Sequence, residues 1–215
     1  MTTFVLASAS PARRSVLRAA GIEPVVQVSG VDEDAILDAL ADTPPADRVL
    51  ALARAKARAV VDGWTPPGGA APGADLVVLG CDSMLLLDGA LQGKPADPDE
   101  ARRRWAAMAG RTGDLVTGHW VILWQGGAVV GETGTTAVSQ VHLGRPDPDE
   151  VEAYLATGEP LAVAGALTID GYGGWFVDGI TGDPSNVIGV SLPTLRGLLR
   201  EIGVRVTDLW TSPGG

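Results

Sequence analysis

Apolar strand-like runs alternate with helix-like segments through the first half of this chain, and that alternation limits the fold more than any other feature. Phe4-Val5-Leu6-Ala7-Ser8 reads as a short buried strand. Ser10-Pro11 then opens a helix predicted over 12–20, because Ser caps a helix start and Pro fits its first turn. Gly21 closes that helix. A strand over 25–29, a short helix over 34–40 and an Ala-rich helix over 47–61 follow. The stretch 64–72, with Pro66-Pro67-Gly68-Gly69, reads as a surface loop. Residues 76–81 form an apolar strand ending at Asp82, 84–87 continue extended, and Asp88-Gly89 turns the chain. A helix over 98–108 starts acidic, in keeping with its dipole.

Three successive strands, over 115–124, 128–133 and 135–143, then interrupt the alternation. A helix over 148–157 closed by Gly158, short strands near 166–169 and 175–177, and a helix over 192–202 capped by Gly203 complete the pattern. The tail 211–215 reads as frayed. The expectation is an α/β fold with a mixed sheet flanked by helices, in which the three-strand run projects as a second lobe. A length of 215 residues suits a single domain of this kind.

Charge excludes several functions. Sixteen basic against 26 acidic residues give a net −10, which argues against broad binding to nucleic acid or to an anionic membrane. No run approaches the ~20 apolar residues of a membrane span, and the start lacks a signal-peptide pattern, so a cytoplasmic protein is expected. One cysteine, Cys81, and two histidines, His119 and His142, leave no disulfide framework and no promising zinc set. Fourteen of the 16 basic residues are Arg. Lys56 and Lys94 therefore stand out as positions where a compact ammonium is wanted, or as chance survivors of a compositional bias.

Five places carry potential chemistry. The turn Ser8-Ala9-Ser10-Pro11-Ala12-Arg13-Arg14 offers hydroxyls and a helix N-terminus, with two Arg where cations are unfavourable unless an anion is near. Its plainer reading is a Ser-Pro cap with solvated Arg. Asp82, at a strand end, can ligate a hard cation or orient water, or it can merely cap a turn. Gln92-Gly93-Lys94-Pro95 fails as a P-loop, since Pro95 stands where Ser or Thr must hold magnesium. Lys56 is a ligand for an anion or one residue of a solvated helix face. The cluster Asp32-Glu33-Asp34 pairs with a helix dipole, or supplies a second metal ligand. His119 reads as structural, and Cys81 as a small core residue.

Taken in order, Leu6-Ala7-Ser8-Ala9-Ser10-Pro11-Ala12-Arg13-Arg14, the Lys56 helix, Gly80-Cys81-Asp82-Ser83, Gly93-Lys94-Pro95, Ala109-Gly110-Arg111-Thr112, Thr157-Gly158-Glu159-Pro160-Leu161 with Ala164-Gly165-Ala166, and the run from Gly182 to Val190 resemble the Maf family of nucleoside triphosphate pyrophosphatases. The resemblance spans Phe4 to about Gly203. It implies an elongated mixed β-sheet of the Maf/inosine-triphosphatase type, with two lobes and a central cleft. It implies hydrolysis of a non-canonical or modified nucleotide to monophosphate and pyrophosphate, with magnesium or manganese as cofactor, and a link to cell-division arrest. It also suggests a homodimer.

Residue by residue, the resemblance places Ser8, Ser10 and Arg13 on the family's first motif and Lys56, Asp82 and Lys94 on its central charged positions. Both lysines thus fall on motif positions. Asp82 takes the catalytic acid/base position; with Glu33, from the acidic cluster before the second helix, it is also the expected metal site. The sequence departs from the pattern at Gly113, where many members have His, and at Val163, where many have Lys. Two further departures bear on the base: Ala12 stands where members preferring thymidine and uridine triphosphates have Arg and those preferring 7-methyl-GTP have Trp, and Asp170 where the same two sets have Gln and Glu. Asp170 is expected to touch the substrate, and the preferred base stays open. A non-catalytic nucleotide sensor and a phosphatase releasing orthophosphate are the rival functions, and product analysis separates them.

Overall fold

The computed structural model describes residues 2–64 and 75–211. The expected loop at 64–72 lies outside the described residues, apart from Trp64. The chain divides into two compact units. The first comprises Met1–Asp82, Gly118–Ala137 and Leu192–Gly215, and the second Ser83–Thr117 and Val138–Ser191.

The strands are β1 (Thr3–Leu6), β2 (Val25–Val26), β3 (Leu76–Leu87), β4 (Ala90–Gln92), β5 (Thr112–Gln125), β6 (Ala128–Leu143) and β7 (Val177–Thr181). They form a mixed sheet in the order β2-β1-β3-β5-β6-β7, with β4 paired to β3. β1 runs parallel to both β2 and β3, while β4 and β7 are antiparallel to their partners. The α/β class and the mixed, helix-flanked sheet are as expected.

In the first unit, α1 (Pro11–Ala19), α2 (Glu33–Ala39), α3 (Pro45–Asp62) and α8 (Leu192–Glu201) accompany the parallel strands. α1 starts where Ser10 Oγ accepts the Arg13 N–H, with Pro11 in the first turn. The α3 face bearing Ala57, Val60 and Val61 packs with Val5, Leu76, Val78 and Ile122. Burying each large aliphatic side chain of this kind contributes about 1.5–3 kcal/mol.

In the second unit, α4 (Pro98–Met108), α5 (Pro148–Ala156), α6 (Glu159–Ala162) and α7 (Pro184–Ile188) surround a separate core. Trp105, Tyr154 and Phe176 meet there edge to face, with ring centroids 5.6–5.8 Å apart. Such pairs contribute about 0.5–1.5 kcal/mol each beyond area burial. The Trp105 indole N–H donates to the Ala166 carbonyl at 3.1 Å.

Several expectations need correction. The three-strand run is a hairpin of two long strands, β5 and β6, turning at Gly126-Gly127, where both residues have positive φ as a tight hairpin turn requires. Gly134 is no second turn. It lies under Trp120, where a Cβ would stand 2.2 Å from the indole. Asp82 does not end a strand but sits inside the 12-residue β3. β3 pairs with β1 through Leu79 and with β4 from Leu85, so the backbone stays extended across the change of partner. The expected strand near 166–169 is absent; a single 3-10 turn, Ala164–Ala166, precedes it. Thr211 is not frayed, since its amide donates to the Gly21 carbonyl at 2.8 Å; the rest of the tail lies outside the described residues.

Candidate active site

Three elements of the first unit bring charged groups to one place. β3 carries Asp82, α3 carries Lys56 and the start of α1 carries Arg13. All three side chains are buried, with relative exposures of 6%, 7% and 9%. Lys56 Nζ donates to Asp82 Oδ1 at 2.6 Å and pairs with Glu33 Oε1, just after the Asp32 cap of α2, at 2.8 Å. Asp82 Oδ2 is buried and accepts no hydrogen bond from the described residues. Leaving a buried carboxylate oxygen unpaired is costly, so Oδ2 is an acceptor suited to a water or a cation. Burial pushes the Asp82 carboxyl above its ordinary range. The positive charges of Lys56 and Arg13 oppose that shift, and Glu33 adds to it.

The two arginines of the first motif separate. Arg14 turns outward to Glu23 at 3.2 Å, which Arg18 also holds. Arg13 turns inward, and its Nη1 donates to Ser8 Oγ at 2.9 Å. Ser8 Oγ also accepts the Ser10 N–H at 3.3 Å, so the Ser8 hydroxyl hydrogen is left to donate elsewhere. The cap and the buried cation are therefore one construction: the Ser-Pro start fixes the turn, and Ser8 fixes the guanidinium.

The neighbouring Cys81 thiol is fully buried, and burial pushes it up to about 12. It is a core residue, as expected. His119 is fully buried on β5.

The described residues contain no cluster of three or more His, Cys, Asp or Glu that could cage a metal. What they do contain is Asp82 and Glu33 on one ammonium, with Asp82 Oδ2 unpartnered. That donor set fits a magnesium-type cation, which is usually held by one or two carboxylates together with substrate phosphates and water.

Lys94 and Asp170 belong to the second unit. Lys94 is exposed, on the loop between β4 and α4. Asp170 is exposed and accepts the Thr168 hydroxyl. The segment after Asp170 is clamped by Glu159, whose carboxylate oxygens accept the Tyr172 N–H at 2.9 Å and the Gly173 N–H at 2.8 Å. A Cβ on Gly171 would stand 2.1 Å from Glu159 Oε2, and one on Gly173 would stand 2.5 Å from the Tyr154 hydroxyl. In the sequence Glu159 stands out only as part of a motif. Its carboxylate two residues into a Gly-Glu-Pro turn gives no local hint that it binds backbone 13 residues on.

No helix among the described residues is long and apolar enough to cross a membrane. A family model described as Maf-like protein matches residues 3–202. The chain is 62% identical over 213 residues to a protein of Nocardia farcinica named nucleoside triphosphate pyrophosphatase, covering 99% of this chain and 98% of that one. It is 59% identical over 215 residues to a protein of the same name from Rhodococcus jostii, covering 100% and 99%. A third of that name, from Mycolicibacterium smegmatis, is 58% identical over 214 residues and covered completely on both sides. With a match of that reach behind a buried Lys–Asp pair set beside a capped Arg, this chain belongs to the Maf-like protein family.

Proposed function

We propose that this chain is a metal-dependent nucleoside triphosphate pyrophosphatase. The observation that carries the reading is Asp82: a buried carboxylate with one oxygen held by Lys56 and the other without a partner among the described residues. The relatives' name supports the same reaction class.

In this reading water attacks the α phosphorus. The bond from that phosphorus to the α–β bridging oxygen breaks, a monophosphate forms and pyrophosphate leaves. Asp82 Oδ2 orients the water and takes its proton, a task for which burial, by raising the carboxyl's proton affinity, suits it. Arg13, held by Ser8, and the Ser8 and Ser10 hydroxyls at the α1 start receive phosphate oxygens. Lys56 keeps Asp82 ionised and balances its charge. Magnesium or manganese, held by Asp82 and Glu33, would supply charge neutralisation of the phosphates and acidify water. Lys94 receives the polyphosphate, and Asp170 meets the base.

An acidic protein needs these local cations, because a triphosphate carries about four negative charges near neutral pH. Housecleaning of modified nucleotides and an effect on division follow from the resemblance alone.

The deciding experiment is a panel of canonical nucleotides and 7-methyl-GTP with magnesium and with manganese, scored separately for pyrophosphate and orthophosphate. Pyrophosphate with monophosphate is the expected product. In Asp82→Asn turnover should fall by about 10²-fold or more with nucleotide binding largely kept. Near-normal turnover in that variant would remove Asp82 from the chemistry, and a chain that binds nucleotide without releasing either product is a sensor instead.

A further inference from the structure

Lys94 carries no ion pair among the described residues, yet the backbone on either side of it is fixed. The Gly93 carbonyl oxygen accepts Arg104 Nη1 at 2.5 Å and the Gly165 N–H at 2.9 Å. Two residues beyond Lys94, the Ala96 N–H donates to Glu100 Oε2 at 2.7 Å. Arg104 and Glu100 lie one turn apart on α4 and are paired to each other. Only Lys94 and Pro95 separate the two anchored peptide groups, and Pro95 is buried with its φ locked by the ring.

The helix bearing this pair is itself immobilised. Ala101, Trp105 and Met108 are buried in the core of the second unit. Arg104 is only 15% exposed and Glu100 30%, so neither is an ordinary solvated surface charge. The Ala96 N–H holds the Glu100 carboxyl below its usual range, with Arg104 adding to the effect. A simple i,i+4 pair on a helix contributes a few tenths of a kcal/mol. Here each partner also grips the loop backbone, one on each side of the lysine.

We propose that Arg104 and Glu100 are positioning residues: they hold the 93–96 loop so that the Lys94 ammonium is presented, already ordered, to the phosphates of the substrate. The proposal rests on the reading of Lys94 as a phosphate ligand. It adds that the affinity Lys94 gives comes from a loop whose ordering is complete before substrate arrives.

The test is a double-mutant cycle. Pyrophosphate release from the preferred nucleotide is measured for Lys94→Ala, Arg104→Gln, Arg104→Lys and the Lys94→Ala/Arg104→Gln pair. Hydrogen exchange of the 93–97 amides and thermal midpoints are recorded alongside. Arg104→Gln should lower kcat/KM about tenfold or more, mostly through KM, and speed exchange at Ala96 without unfolding the protein. In the Lys94→Ala background the same change should cost less than about twofold. Arg104→Lys, which can still reach one of the two acceptors, should recover part of the loss.

An equal loss in both backgrounds would overturn the proposal, because Arg104 would then act independently of Lys94. Unchanged kinetics in Arg104→Gln with a damaged Lys94→Ala would overturn the brace and keep the phosphate reading. Normal kinetics in Lys94→Ala would overturn the phosphate reading itself. If Arg104→Gln does not fold, or Lys94→Ala falls below detection, Glu100→Gln decides through KM and loop exchange: both must rise together, and a rise in neither ends the proposal.

Discussion

Gly80 lies so close under Ala53 that a Cβ on it would stand 2.0 Å from the Ala53 carbonyl oxygen, and 2.9 Å from the Ala57 amide nitrogen. This approach of β3 to α3 lets a lysine from the helix reach a carboxylate two residues along the strand. Gly80→Ala should therefore destabilise the protein by about 1–3 kcal/mol or more, since backbone rather than a flexible side chain must give way. Urea unfolding measures the loss. Turnover should fall as well, because the same shift moves Lys56 from Asp82; a variant of wild-type stability would show that the two elements have room to spare.

Lys56 and Asp82 form a buried pair at 2.6 Å. Removing the cation alone, in Lys56→Met, leaves a buried negative charge and should cost about 3–5 kcal/mol at neutral pH. The sign with pH follows from the carboxyl, whose folded value burial already raises. A raised value means that the folded state binds the proton more tightly, so stability is fully present in acid and lost as pH rises through the folded value. Loss of Lys56 widens that gap. The penalty should accordingly shrink as pH is lowered, and shrink also in Lys56→Met/Asp82→Asn. Unfolding curves at several pH values check both; a penalty independent of pH would mean that lost packing, not charge, is its source.

Asp170 is exposed and its neighbouring backbone is held by Glu159. Asp170→Gln should leave stability within about 0.5 kcal/mol, as surface changes do. It should shift the ratio of kcat/KM between pyrimidine nucleotides and 7-methyl-GTP by about tenfold, the scale of one altered polar contact. Glu159→Gln should behave in the opposite way, costing about 1–3 kcal/mol because a backbone N–H loses its acceptor. An unchanged nucleotide panel in Asp170→Gln would take that residue out of base selection.

Cys81 provides a control on the burial of this region. Its thiol is pushed up to about 12, chiefly by burial, so it stays neutral at physiological pH. Iodoacetamide at pH 8 should label it no faster than the protein unfolds. The raised value contributes stability that is whole below its ordinary value of 9.0 and is lost as pH rises through about 12. Rapid labelling of the folded protein, followed by mass spectrometry, would show that the core beside Asp82 opens.

The neighbour-dependent features were legible in the residues. Ser10-Pro11 started α1 where a cap and a first-turn proline dictate, and 98–108 became α4 to the residue. Both depend on groups a turn or less apart, as does the acidic start of α4. The ordered motifs also sufficed for family membership, because each records a local shape together with the charge it carries.

What the chain could not disclose is everything set by approach across large sequence separations. Asp82 reads as a strand end because its charge resembles punctuation; in the fold Lys56, 26 residues earlier, supplies the cation that lets a carboxylate remain inside β3. Gly134 interrupts the strand pattern between 133 and 135, although its lack of a side chain serves Trp120 instead. The grip of Arg104 and Glu159 on backbone carried no local signal, since the groups they hold lie 11 and 13–14 residues away. Local propensity is written in adjacent residues, whereas the unpaired oxygen of Asp82 and the brace behind Lys94 exist only once packing has decided which distant groups meet and which are left without a partner.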